Sequence, residues 1–406
     1  MTRRFSFAAA ALVALPIVAT TTAPAISDAG RAALSEFLRG SVSRGDTPAV
    51  VAVVTSADHV LFEDAAGKRD EAAGTAAAPD TIFRIASMTK PVTSLAVMML
   101  VDEGKIGLDD PVTKHLPDFK QQPVLTRMND DGTFESHPAA RSILIRDLLT
   151  NTSGIGYPFS NAALARLSAA GKVEADLPLV HEPGAKWTYG SSTAVLGRVV
   201  ERVSGQTLDV FFQSRIFGPL GMHDTSFIVP AAKRDRVVTQ HAKSANGTLT
   251  EQPNPAEVRS PVRGDGGLAS TASDYAAFMR LFLNGGRAGA TRLVSERSFR
   301  LMTTNEIGDL VVPRQPTADP ARSQPFPLGA GKDKFGFGFQ IETAPAEKGL
   351  RSPGSLSWGG IYNTHFWIDP ARQIAAAVLM QVLPYYDDAS LRVLRGFERI
   401  VYRQVR

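Results

Sequence analysis

Phe83-Arg84-Ile85-Ala86-Ser87-Met88-Thr89-Lys90-Pro91-Val92 is the stretch on which the reading of this chain turns. From Val92 to Val101 eight of ten residues are apolar, so a helix there is buried on most of its faces. Proline is tolerated only in the first turn of a helix, and Pro91 therefore places the start within a residue or two of Ser87. Residues three apart on a helix share a face, which lets the Ser87 hydroxyl meet the Lys90 ammonium without help from tertiary structure. Ser87 also falls at the positive end of the helix dipole, where its own N–H can help to bind an oxyanion. A Ser-x-x-Lys alone is weak, since roughly one is expected by chance in a chain of this size. Its place at the head of a buried helix is what gives it weight.

Working outward, Leu34, Phe37 and Leu38 have helical spacing, and Gly40 stops that helix. Ala49-Val50-Val51-Ala52-Val53-Val54 is a β-branched run, turned by Ser56-Ala57-Asp58 into a second strand around Val60-Leu61-Phe62, hence an antiparallel hairpin. The Ala/Gly stretch Ala65–Ala78 reads as loop. Residues 105–240 read as helices with many loops, clearest at Asp147-Leu148-Leu149 and at Ala194–Ser204, the latter stopped by Gly205. Another helix follows Thr271, with Ser273-Asp274 near its start and Asn284-Gly285-Gly286 at its end. Five prolines and two glycines in 311–331 predict a long surface loop, a candidate flap. Strand signals return at Phe335–Ile341, Ile361–Ile368 and Ile374–Met380, the last two joined by Asp369-Pro370. A closing helix begins at Asp387 or Asp388 with Leu391, Leu394 and Val401 on one face. Strands at both ends with helices between predict an α+β fold: an antiparallel sheet built from both chain ends and flanked by helices, with an inserted, mostly helical domain. The expected division is 26–104 with 255–406 for the sheet domain and 105–254 for the helical one.

Composition narrows the chemistry. The 406 residues are 44% hydrophobic and 21% charged, enough for a sizeable core without covalent staples. With no cysteine, disulfides, thiolate catalysis, Cys-ligated zinc and iron–sulfur clusters are excluded. The net charge of +4 is a small excess without a Lys/Arg run, which argues against a nucleic-acid partner. Seven histidines show neither His-x-x-x-His nor His-Glu-x-x-His spacing, and no Gly-x-x-x-x-Gly-Lys or Gly-x-Gly-x-x-Gly loop is present, so neither metal nor cofactor is expected. Arg3 and Arg4, the apolar run from Phe5 to about Val18 and Ala23-Pro24-Ala25 read as an export signal over residues 1–25, by a Sec or twin-arginine route. That run is too short for a comfortable membrane span, so the mature chain is expected in the periplasm or medium with no membrane span.

Two further motifs carry chemistry. Tyr189-Gly190-Ser191 follows Glu182-Pro183-Gly184-Ala185-Lys186-Trp187 and precedes a helix; a phenol near a lysine can share its proton and serve a serine as acid or base. Ser357-Trp358-Gly359-Gly360-Ile361 opens a strand, and its paired glycines suggest a bulge or the close approach of a ligand to the backbone. The nearest thing to a hydrolase elbow, Gly190-Ser191-Ser192-Thr193-Ala194, lacks the final glycine. A Ser–His–Asp triad assembled through tertiary contacts would use His365, which otherwise reads as a strand residue with ordinary hydrogen bonds.

These three motifs, in this order and about 100 and then about 170 residues apart, resemble those of the serine β-lactamase and penicillin-binding protein superfamily. The resemblance is to its class C-like branch and, within that, to the family VIII carboxylesterases. Leu148-Leu149-Thr150-Asn151-Thr152-Ser153-Gly154 resembles a family landmark that usually carries His where Asn151 stands. Pro219-Leu220-Gly221-Met222 and Gly266-Gly267-Leu268-Ala269-Ser270-Thr271-Ala272 are similar to others, so the likeness runs from about residue 30 to 405. It implies a β-lactamase/transpeptidase-like fold, Ser87 as acylated nucleophile, Lys90 helping to deprotonate it and Tyr189 as partner base and acid. It further implies an oxyanion hole from the N–H groups of Ser87 and Ile361, and a substrate site lined by Ser191, Trp358, Gly359 and Gly360.

Two departures shift the expected substrate. Trp358 stands where relatives that handle β-lactams carry Lys or His, and Ser191 where many carry Asn, so the charge and amide that suit a β-lactam are missing. An exported serine hydrolase acting on short-chain or moderately bulky carboxylic esters without a cofactor is the expectation. The alternatives are a weak β-lactamase or D-amino-acid peptidase, an acyltransferase, and a slowly acylating penicillin-binding sensor. The sequence leaves oligomeric state open.

Overall fold

In the computed structural model, residues 23–244, 246–252, 262–326, 329–345 and 347–406 are described; nearly all of the segment read as an export signal lies outside them. The valine run becomes β1 (Ala49–Ser56), buried along its whole length, and it turns back into β2 (Val60–Asp70) and β3 (Thr75–Ala76). The last third of the chain adds β4 (Lys334–Phe335), β5 (Gln340–Ile341), β6 (Leu356–Gly360), β7 (Thr364–Asp369) and β8 (Ile374–Leu379). Together they form one eight-stranded sheet in the order β4-β5-β6-β7-β8-β1-β2-β3, with antiparallel neighbours throughout. The seam is β1 against β8, with Val51 opposite Leu379 and Ser56 opposite Ile374, so the two chain ends meet in the middle of the sheet.

In chain order, the helices that frame the sheet and the site are α1 (Asp28–Ser43), α2 (Thr89–Asp102), α3 (Ile145–Leu149), α4 (Ser192–Ser204), α5 (Ala272–Leu283) and α6 (Asp388–Gln404). Alternation along the strands divides the core in two. Val50, Ala52, Val54, Trp367, Ala376 and Val378 pack with Leu34 and Leu38 of α1 and Val393, Phe397 and Val401 of α6. On the other face Val51, Val53, Phe366, Ile368 and Ala377 join the larger core that holds α2 and α5. Burying each such side chain contributes about 1.5–3 kcal/mol, which is why the helices stay fixed to both faces. Among the described residues no helix is long and apolar enough to cross a membrane.

Several local expectations are corrected. Gly40 does not stop α1, which runs to Ser43 and leaves through Gly45 at φ 73°. Ala65–Ala78 is not all loop: pairing with β1 carries β2 to Asp70, because ladder hydrogen bonds outweigh the weak strand preference of alanine. Phe335–Ile341 is not one strand but a tight hairpin, Phe335 opposite Gln340, closed over Gly336 and over Gly338 at φ 108°. Ile361 lies in the turn between β6 and β7 and not in a strand. The middle of the chain also contains an unanticipated hairpin, Val124–Met128 against Phe134–His137.

Candidate active site

The segment before Ser87 is pinned from both sides. Phe83 and Arg84 pair with Ser270 and Ala269, and the Ile85 N–H donates to the Leu268 carbonyl at 2.9 Å. Ala86 then takes φ 44°, a left-handed conformation that costs an alanine about 1–2 kcal/mol. That strain turns the chain into a single 3-10 turn, Ala86–Met88, which feeds α2. The Tyr275 hydroxyl donates to the Met88 carbonyl at 3.0 Å and fixes the turn from below. Ser87 is therefore presented by a strained corner that its surroundings over-determine.

Around Ser87 Oγ the polar groups are close. The Tyr189 hydroxyl donates to it at 2.6 Å and Lys90 Nζ at 3.3 Å. The other two Lys90 N–H groups go to the Tyr157 hydroxyl at 3.1 Å and the Asp265 backbone carbonyl at 2.7 Å, so all three donors of the ammonium are used. Lys90 is 3% exposed and lies 4.8 Å from the centre of the Tyr189 ring. Gly190 lets Tyr189 reach this place, because a Cβ there would collide with the Ile155 carbonyl of the loop that carries Tyr157. Asn151, in the landmark that usually has His, sits at φ 58°, a conformation that both residue types tolerate better than most.

Behind Lys90 stands a group that the motifs did not single out. Tyr157 donates to Asp265 Oδ2 at 2.5 Å, and Asp265 takes both arms of Arg263 at 2.9 Å. Arg263 in turn makes two bonds of 2.9 Å to Glu174. Burial acts to raise the Asp265 carboxyl, yet Arg263, Lys90 and Tyr157 together hold it below the ordinary carboxylate value. Burial and the neighbouring Asp265 charge push the Tyr157 phenol well above its usual value, so it stays protonated and donating. Asp265 directly precedes the Gly266-Gly267 landmark and Tyr157 follows Ser153-Gly154 by three or four residues; that adjacency was the available signal.

A cavity of about 310 Å³ opens over Ser87. Six aromatic residues line it, Tyr157, Phe159, Tyr189, Phe326, Trp358 and Tyr385, with Ile361 beside them and Arg263, Asp265 and Arg322 also on the wall. Tyr189 meets Trp358 and Phe326 edge-on at 5.2 and 5.3 Å. The proline-rich loop supplies Phe326 and is stitched into place. Ala318 N–H donates to the Phe159 carbonyl, Gln324 N–H to the Tyr385 carbonyl, and the Gln315 side chain accepts from the Tyr189 N–H. The described part of the candidate flap is thus a wall of the site.

The remaining sequence-derived positions divide. Ser87, Tyr189, Trp358, Gly359 and Ile361 line the cavity, whereas Ser191 and Gly360 are buried outside the lining. The N–H groups of Ser87 and Ile361 have no acceptor among the described residues. The paired glycines answer to the protein's own packing: a Cβ on Gly360 would strike the Ile85 carbonyl and Thr364 Oγ1, and one on Gly359 would stand 2.9 Å from His365 Nδ1.

His365 does not take the place of a triad base. It lies on β7, stacked at 5.5 Å on Tyr385, and lines no part of the cavity over Ser87. It also lacks the ordinary hydrogen bonds expected of it, since its buried Nε2 has no partner. Burial and the Arg351 charge push it down to about 3, so it is neutral. Because the folded value lies below the unfolded one of about 6.5, the stability it permits at neutral pH is lost as pH falls below 6.5 towards 3. The expected loss is about 2 kcal/mol by pH 5. Urea unfolding at pH 7 and pH 5 checks this: His365→Asn should be less acid-sensitive than the parent, and equal sensitivity would count against it.

The chain is similar to several known proteins. A family model described as Beta-lactamase matches residues 34–396. Protein Rv1367c of Mycobacterium tuberculosis is 36% identical over 88% of this chain and 90% of its own length. Esterase EstB of Burkholderia gladioli is 31% identical over 84% of this chain and 87% of its own. Among solved structures, the LovD6 mutant of simvastatin synthase from Aspergillus terreus superposes with a TM-score of 0.80 at 26% identity, covering 92% of this chain and 97% of that one.

Proposed function

The chain belongs to the beta-lactamase family, with the β-lactamase/transpeptidase-like fold, and on that footing we propose that it is a serine ester hydrolase working through an acyl-enzyme on Ser87. The observation that carries this reading is the Ser87 hydroxyl held between the Tyr189 phenol at 2.6 Å and the Lys90 ammonium at 3.3 Å, under an aromatic cavity. In turnover the resting hydrogen bond reverses: with the Tyr189 phenol ionised beside the Lys90 ammonium, Ser87 donates its proton and its oxygen attacks the ester carbonyl. The N–H groups of Ser87 and Ile361 receive the negative charge that develops on the carbonyl oxygen. Tyr189 returns the proton to the departing alcohol. Water then enters, gives a proton to Tyr189 and adds to the acyl carbon; the bond to Ser87 breaks, the acid leaves, and Tyr189 returns the proton to Ser87 Oγ. An alcohol in place of water would make the same site an acyltransferase, and relatives named Esterase EstB and Acyltransferase calJ support both outcomes.

Trp358 and its aromatic neighbours favour an uncharged acyl or alcohol group over a β-lactam. A short p-nitrophenyl ester should be turned over with a kcat/KM about 100-fold above that for a chromogenic cephalosporin, the discrimination that a missing charged contact provides. A ratio near or below one would favour the β-lactamase reading. Added alcohol that speeds nitrophenolate release and appears as a new ester would favour acyl transfer. Residues 1–25 support export of the mature chain, which N-terminal sequencing of the secreted protein would test.

A further inference from the structure

We propose that Asp265 is a positioning residue for the Ser87 nucleophile: through Tyr157 and through its own backbone carbonyl it holds the Lys90 ammonium against Ser87, and its charge governs how readily the Lys90–Tyr189 pair gives up a proton. This rests on Ser87 being the nucleophile.

Alternating charge is the basis. Glu174, Arg263, Asp265 and Lys90 follow one another as minus, plus, minus, plus, with the Tyr157 phenol between the last two. Asp265 is 7% exposed, and a carboxylate so buried is kept only where its oxygens are satisfied. Here one oxygen takes Arg263, and the other takes Arg263 and Tyr157. The arrangement has two consequences. Tyr157 is committed to donating towards Asp265, which leaves its lone pair to accept from Lys90; the ammonium is thereby aimed at Ser87. The backbone carbonyl of the same residue takes a second Lys90 N–H, so the side chain and main chain of Asp265 fix Lys90 from two directions.

The groups facing the Lys90–Tyr189 pair are Asp265 and Arg263 from the 262–267 segment, Tyr157 from the 151–160 segment, and Glu174 behind Arg263. Arg322 and Tyr385 complete the set from the cavity wall. Replacing Asp265 by asparagine removes the one anion nearest the pair and leaves the Arg263 cation with only Glu174 to offset it. The pair then sheds its first proton at a lower pH, and Ser87 becomes reactive earlier on the acid side while Lys90 is less well aimed.

The test uses a fluorophosphonate on the full mature chain, with the rate of Ser87 labelling followed by intact mass from pH 4 to 10. Ser87 Oγ attacks phosphorus, its proton passes to the Lys90–Tyr189 pair and fluoride leaves. In Asp265→Asn the acid limb of the rate should move down by about one pH unit, with the plateau lowered by about tenfold. Glu174→Gln, a change at a half-exposed position that should fold normally, should move the limb the same way by less. An acid-limb midpoint unchanged from the parent in both variants would overturn the proposal, whether or not the plateau fell, since a purely structural role changes the rate and not the midpoint. A parent chain that labels at no pH would sink the nucleophile and this proposal together; labelling without a shift sinks the proposal alone.

Discussion

Ser87→Ala is expected to bring release of nitrophenolate from a short p-nitrophenyl ester down to the buffer rate, a loss of about 10⁴-fold or more in kcat. The hydroxyl is the atom on which Tyr189 and Lys90 converge, and among the described residues the other hydroxyls of the cavity lining are those of Tyr157, Tyr189 and Tyr385. Burial raises Tyr157 and Tyr385 well above the usual phenol value, so neither replaces a serine as nucleophile. The substitution removes one oxygen from a site whose fold is held elsewhere, by the Ile85–Leu268 and Tyr275–Met88 hydrogen bonds. Folding should be unaffected, and the parent's thermal midpoint retained in the variant is the control. Retained turnover would locate the chemistry outside Ser87.

Tyr189→Phe should lower kcat by about 10²–10⁴-fold with little change in KM. The phenyl ring keeps the edge-on contacts with Trp358 and Phe326, so the wall that binds an apolar group survives. What disappears is the hydroxyl 2.6 Å from Ser87 Oγ, which carries the proton in both halves of the proposed cycle. Lys90 keeps its bonds to Tyr157 and to the Asp265 carbonyl and cannot substitute fully, because two of its three N–H groups are already committed. A steady-state comparison of the two chains decides this: a rise in KM with kcat unchanged would make Tyr189 a binding residue only.

The nucleophile segment was legible because its signals are local. Pro91 marks the helix start, the apolar run marks its burial, and the three-residue offset from Ser87 to Lys90 is a property of the helix itself. The valine strand was legible for the same reason, since β1 is buried on both faces and shows it in composition. Features set by partners far along the chain were not. Tyr157 and Asp265 are 67 and 175 residues from Lys90, and their adjacency to two landmarks is a signal of position without a sign of the charge network they form. The glycines of Trp358-Gly359-Gly360 show the same limit: their absence of side chains was visible, but the Ile85 carbonyl that crowds Gly360 and the Tyr385 hydroxyl that crowds Gly359 both come from other segments of the chain. Residues 335–341 misled by their alternation of phenylalanine and glycine, which mimics a strand while placing glycine where the hairpin turns.

Intact-protein mass spectrometry during mixing with a short p-nitrophenyl ester tests the central claim most directly. The account predicts nitrophenolate release accompanied by a transient species heavier by one acyl group, mapping to Ser87 after peptide digestion and decaying as the acid is released. Turnover with no acyl adduct, or with the adduct on another residue, would contradict it.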